Sequence, residues 1–123
     1  MTRAITLLVF LLLLASLALA QDPRYGGPPA RDADGSIKRS RVVLREFQRI
    51  HPCPSTGLQS GSCPRWHLDH VVPLICGGAD AIFNLQWLPV ELKSCAGALC
   101  KDRWERRVYC RFITTTTTLK DHQ

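Results

Sequence analysis

Six cysteines, at positions 53, 63, 76, 95, 100 and 110 of a 123-residue chain, restrict its folding options more than any other feature. A chain this short is about one small domain, with too little apolar surface for a large core, and small exported domains commonly make up the deficit with crosslinks. An even cysteine count fits such a disulfide framework. Many pairings are open to six cysteines, and we favour Cys53 with Cys63 and Cys95 with Cys100 because each closes a local loop. That leaves Cys76 with Cys110. The first closure alone is worth roughly 2.5–3 kcal/mol by loop entropy. The rival is a zinc site, which needs thiolates at paired short spacing; these spacings are uneven.

The N-terminus points to an oxidising compartment. Met1-Thr2-Arg3 is a short cationic start, Ile5 to Leu14 is almost unbroken apolar sequence, and Ala18-Leu19-Ala20 is a small-x-small cleavage signal before Gln21. Residues 1–20 therefore read as a secretory signal peptide. The alternative, a retained anchor, is opposed by an apolar run shorter than the ~20 residues a spanning helix needs. The expected product is secreted or periplasmic, monomeric, and without stable membrane insertion after cleavage.

Punctuation divides the rest. Residues 21–36, rich in Pro, Gly, Asp and Ala, read as an exposed, poorly ordered leader, and 37–113 as the folded domain. Ser36 looks like the N-cap of an amphipathic helix over 37–50, with Val43, Phe47 and Ile50 on one face and Lys38, Arg41, Arg45 and Arg49 on another. Pro52 and Pro54 stop it, and the Pro/Ser/Gly-rich stretch 52–64 predicts a loop clipped by its own two cysteines. Strands are expected over 65–74 and 82–87, separated by the Gly77-Gly78 turn, and helix over 90–93 and 99–109. The fold class is α+β, in the order helix, ββ, helix. Trp66, Trp87 and Trp104 are expected to pack rather than to stack on bases. The tract Thr114–Thr118, within a tail of 114–123, reads as a frayed end.

Chemistry concentrates in Trp66-His67-Leu68-Asp69-His70-Val71-Val72-Pro73-Leu74, then Gly77-Gly78-Ala79-Asp80, then Asn84-Leu85-Gln86-Trp87-Leu88. Asp69 offers hard oxygens to a divalent cation, and His70 carries the one side chain whose unperturbed charge change falls near neutral pH. A lone Asp-His pair is weak evidence; the strand end, the glycine turn and the returning asparagine give it a frame. These residues resemble the HNH (His-Asn-His) endonuclease family, and the likeness extends over roughly 51–105. The resemblance implies a ββα-metal fold in which Asp69 ligates a metal, His70 is the general base and Asn84 holds the His70 segment in place. Where the commonest family pattern has a third His or Asn, nine residues beyond the central Asn, this chain has Lys93. The helical ligand is then expected from Asp102 or Glu105, with Lys93 free to meet a phosphate. Mg²⁺ or Mn²⁺ suits a carboxylate-led site, with Zn²⁺ or Ni²⁺ the choice if His67 joins as an extra ligand; the other role open to His67 is a phosphate contact.

Charge fits a polyanionic substrate. The formal net charge is +6, one fewer once Arg3 leaves with the signal. Basic clusters over 38–49 and 101–111 could track a phosphate backbone, with Arg45, Arg49, Lys101 and Arg103 as candidate contacts. Alone, such clusters are more often solvated helix faces. The expectation is a metal-dependent endonuclease acting on DNA, or on RNA, with little sequence preference. Its alternatives are a non-catalytic cationic protein binding nucleic acid or an anionic surface on the same scaffold, and a secreted nuclease toxin paired with an immunity protein.

Overall fold

A computed structural model describes residues 22–110. The expected signal segment and the threonine tail fall outside the described residues. Within them the chain is a small α+β unit: helix α1 (Arg41–Ile50), strands β1 (Trp66–His70) and β2 (Leu85–Pro89), and helices α2 (Val90–Lys93) and α3 (Lys101–Tyr109). Two short 3₁₀ turns, Leu74–Cys76 and Ile82–Asn84, lie between the strands. None of the described helices is long and apolar enough to cross a membrane.

Helix α1 starts at Arg41, four residues later than the sequence suggests. Ser40 is the cap: its Oγ accepts from Val43 N at 3.3 Å, satisfying one of the helix's free amides. Ser36 is occupied elsewhere, donating from its N and Oγ to Asp34 Oδ1 at 2.9 and 2.7 Å. Asp34-Gly35 makes a turn, with Gly35 at φ +83°, that brings Arg31 and Ile37 into an antiparallel bridge.

The leader also departs from expectation. Most of 22–36 is exposed, but Tyr25 bridges Gly78, Gly26 N donates to Gly77 O at 2.8 Å, and Ala79 N donates to Arg24 O at 2.7 Å. Tyr25 Oη donates to Tyr109 O at 3.0 Å. The leader therefore borders the Gly77-Gly78 turn through backbone bonds that composition cannot reveal. That turn requires both glycines: Gly77 has φ +84°, and a Cβ on Gly78 would run into the Val72 carbonyl.

β1 and β2 pair antiparallel, with Asp69 opposite Gln86 and His70 opposite Leu85. β1 ends at His70 rather than running to Leu74, because Pro73 has no N–H to offer a ladder and the chain turns into the first 3₁₀ segment. Pro89 precedes α2, and α3 begins at Lys101 with Leu99 outside it, 83% exposed.

The apolar core is small: Phe47, Val72, Leu74 and Leu85, with Cys53, Cys76 and Cys100. The disulfides are Cys53–Cys63, Cys76–Cys110 and Cys95–Cys100, and one half of each is buried among that core. Gln48, itself buried, ties α1 to the first disulfide loop by donating to Gly61 O at 3.1 Å. The tryptophans are half-buried packing residues. Trp87 lies 6.1 Å from the Phe47 ring and donates to His51 O at 2.8 Å, while Trp104 lies 6.1 Å from Tyr109.

Candidate active site

His70 closes β1 and is 8% exposed. Its Nε2 lies 3.0 Å from Asp80 Oδ1, so a carboxylate from the inter-strand loop fixes the ring. The other Asp80 oxygen accepts from Ser40 N at 2.6 Å. One carboxylate thus joins the histidine to the start of α1. Among the described residues nothing hydrogen-bonds the other ring nitrogen, which is the arrangement an imidazole needs to exchange a proton with a bound molecule.

Asn84 fixes the chain on the far side of His70. It is fully buried, accepts from Val72 N at 2.9 Å, and donates to Val72 O at 3.0 Å and Ala79 O at 2.8 Å. Its backbone carbonyl accepts from Val71 N at 2.7 Å. A side-chain amide, with donor and acceptor at one end, is the group that can pair both backbone polarities of a turning loop. The two residues after His70 and the segment leading to Asp80 are therefore held together.

Asp69, 5% exposed, faces a different set of partners. Its Oδ1 lies 2.6 Å from Lys93 Nζ, and its Oδ2 lies 2.6 Å from Lys101 Nζ. Gln86, its cross-strand neighbour, donates to Oδ2 at 3.1 Å. Burial pushes the Asp69 carboxyl up, but hydrogen bonds from Lys101, Lys93 and Gln86 outweigh it and leave the group below the ordinary carboxylate range. Lys101, only 4% exposed, also donates to His70 O at 2.6 Å and pairs with Glu105 Oε2 at 2.9 Å. That last contact is an ion pair outside hydrogen-bond alignment, leaving Glu105 Oε2 without a hydrogen bond.

Lys93 reaches Asp102 Oδ1 at 2.7 Å, and Asp102 Oδ2 accepts from Ser94 Oγ at 2.9 Å. Burial lowers the Lys93 ammonium's pKa, but its bonds to Asp102 and Asp69 reverse that and raise it above the usual lysine range. Desolvation raises Asp102 less than Lys93 and Ser94 lower it, so this carboxyl too lies low.

The expected residues are thus partly assembled. Asp69, His70, Lys93, Asp102 and Glu105 line one cleft of about 360 Å³, with Arg39 and Arg106 among the other wall residues. Asn84 supports it from behind. His67 shares a strand face with Asp69 by the period of two but is exposed. Arg45 and Arg103 are exposed on α1 and α3, and Arg49 pairs with Glu46 at 2.6 Å.

Lys101 requires correction. A phosphate cannot reach an ammonium this buried, and the basic run of α3 that suggested a solvated face conceals one inward lysine. Asp80, Gln86 and Ser40 gain roles that sequence reasoning did not assign. The only local signal was the position of Asp80 just after the glycine turn.

As arranged, the carboxylates do not fit a divalent cation. Both Asp69 oxygens and the nearest oxygens of Asp102 and Glu105 already face ammonium groups, and the described residues contain no cluster of three or more His, Cys, Asp or Glu placed to hold a metal. No family model matches the chain, and no curated protein or solved structure matches it.

Proposed function

We propose that this protein is an HNH-like endonuclease that hydrolyses phosphodiester bonds in DNA, or in RNA, with little sequence preference. The observation that carries the reading is the His70–Asp80 pair at 3.0 Å, set at the edge of a cleft that Arg39 and Arg106 also line and backed by the buried Asn84 staple. The order of β1, the glycine turn, β2 and α2, with histidine ending the first strand and asparagine closing the 3₁₀ turn just before the second, supports a ββα frame of that family. Three disulfides are compatible with an exported protein, secreted or periplasmic.

In the proposed reaction His70 takes a proton from water as the water oxygen attacks phosphorus. The phosphorus–O3′ bond breaks, and the departing O3′ takes a proton from solvent. Asp80 holds the ring in one orientation and stabilises the imidazolium while it carries the proton. Arg39 and Arg106 line the cleft with charge that opposes the negative charge growing on the phosphoryl oxygens. Mg²⁺ or Mn²⁺ is the cofactor that the resemblance suggests, and such an ion has to compete with Lys93 for Asp69.

One observation favours a second reading, a non-catalytic nucleic-acid-binding protein on the same frame: both oxygens of Asp69 are neutralised by lysines. A plasmid assay separates the two. The oxidised mature protein should nick supercoiled DNA, and His70→Ala should abolish nicking while retaining salt-sensitive DNA binding. Arms with EDTA, Mg²⁺ and Mn²⁺ read the metal requirement. A folded wild-type protein that binds DNA but cleaves none in any arm establishes the second reading.

A further inference from the structure

Five described basic side chains pair with carboxylates: Arg24 with Asp22, Arg49 with Glu46, Arg65 with Glu91, and Lys93 and Lys101 with the Asp69 cluster. Lys38, Arg39 and Arg41, like Arg45 and Arg103, do not. All three are exposed, and none pairs with a carboxylate among the described residues.

Their placement is fixed by backbone. Lys38 N donates to Ala30 O at 2.9 Å, and Ser40 N donates to the same Asp80 carboxylate that holds His70. Arg39 sits between these two anchors. The amide of Ser40 is thereby already committed to Asp80, so the helix terminus is not what recommends the site. The side chains are.

Two cavities meet here. One of about 480 Å³ is walled by the leader from Gly26 to Ala30 and by Lys38, Arg39, Arg41 and Asp80. The other is the 360 Å³ cleft that contains His70. Arg39 and Leu74 line both, and the His70–Asp80 bond runs from one to the other.

We propose that Lys38, Arg39 and Arg41 are the phosphate contacts that lead a nucleic-acid strand past His70, with Arg39 serving both cavities. Unpaired cations beside a proton-accepting residue meet a polyanion without first losing an internal partner, whereas Arg49 and Lys101 would have to break theirs, and Arg45 and Arg103, though unpaired, line neither cavity. The inference rests on the nucleic-acid reading of the His70 site. It moves substrate contact away from the outer face of α1 to its first residue and the segment before it.

The test reads binding without cleavage. His70→Ala protein, full mature chain with disulfides intact, is titrated with a fluorescent single-stranded 20-mer across a salt series. Lys38→Ala/Arg39→Ala/Arg41→Ala is compared, in that background, with Arg45→Ala/Arg49→Ala/Arg103→Ala, which removes the same charge elsewhere. Each lost single-strand phosphate contact lowers the salt slope by about 0.7, equivalent to roughly 5-fold in affinity at 0.1 M salt. The first variant should lose about 100-fold and a slope of about 2, and the second less than about 5-fold. Equal losses, or an unchanged first variant with a native near-ultraviolet spectrum, overturn the proposal. So does binding confined to phosphatidylserine vesicles with none to the 20-mer. Failure of the hydrolase reading shows separately, as absence of nicking by wild type while the binding difference persists.

Discussion

Asn84→Ala should be among the most damaging single changes in this domain. Three hydrogen bonds are lost, from Val72 N at 2.9 Å and to Val72 O and Ala79 O at 3.0 and 2.8 Å. Val72 has no exposed surface, so its N–H and C=O have no water to turn to. At about 1–1.5 kcal/mol net per bond, the expected cost is about 3–4.5 kcal/mol before any cavity term. A small domain has only about 5–10 kcal/mol in total. The backbone bond from Val71 N to Asn84 O survives the substitution, so the loss measures the side chain. Urea unfolding at pH 7, followed by tryptophan fluorescence with disulfides intact, supplies the number from the shift in midpoint at constant slope. Asn84→Asp is the companion: it keeps an acceptor for Val72 N but turns a charge toward two carbonyls, and should cost at least as much. A loss under about 1 kcal/mol for Asn84→Ala would refute the staple, because it would mean the freed groups find other partners.

Other consequences follow from the ion cluster and the crosslinks. Lys101→Met keeps the stem but strands Glu105 and His70 O and leaves Asp69 with Lys93 and Gln86 alone; the expected loss is about 3 kcal/mol in the same urea experiment, and a neutral result would show that the cluster relaxes easily. Denaturing thiol titration should find no free thiol, and replacing Cys76 and Cys110 by alanine, which opens the longest loop, should cost about 4 kcal/mol. For pH, Asp69 and Asp102 titrate below the ordinary aspartate value of 3.8, so their stabilisation is present above it and is lost as pH falls through the lower folded values. Lys93 lies above 10.5, so its contribution is present below that value and is lost as pH rises past the folded one. Melting temperature against pH should fall at both ends, and the acid limb should shrink in Asp69→Asn.

What could be read in advance divides by range. The pairing of Cys53 with Cys63 and of Cys95 with Cys100 followed from loop closure, and α2 followed from Pro89, because each depends on neighbours in the chain. The return of Asn84 to the His70 segment was legible from the glycine turn between them. The start of α1 was not: Ser36 and Ser40 are equally good caps, and the choice fell to the Asp34-Gly35 turn and to Asp80. The docking of the leader depends on backbone groups of Gly77, Gly78 and Ala79, which carry no side-chain signature. Lys101 was misread for a related reason. A lysine in a run of charges looks solvated until a carboxylate from another element is placed beneath it.

That carboxylate leads to the sharpest test of how this site differs from the family it resembles. The cluster holds Asp69, Asp102 and Glu105 against Lys93 and Lys101, leaving one unit of negative charge uncompensated within it. Of the two lysines Lys93 is the accessible one, and it alone bridges Asp69 to Asp102. Lys93→Met should therefore free one oxygen of each carboxylate toward the cleft, while Lys101 continues to hold β1 to α3. Oxygen donors without a cation suit Mn²⁺. Manganese binding, read by loss of the free-ion paramagnetic resonance signal, should strengthen at least 10-fold in Lys93→Met over wild type, and Lys93→Arg should show no gain. The gain should disappear when Asp69→Asn is added. Wild-type protein that binds Mn²⁺ as tightly as Lys93→Met would show that the ion displaces Lys93 without difficulty and that this lysine is not what keeps a cation out of the site.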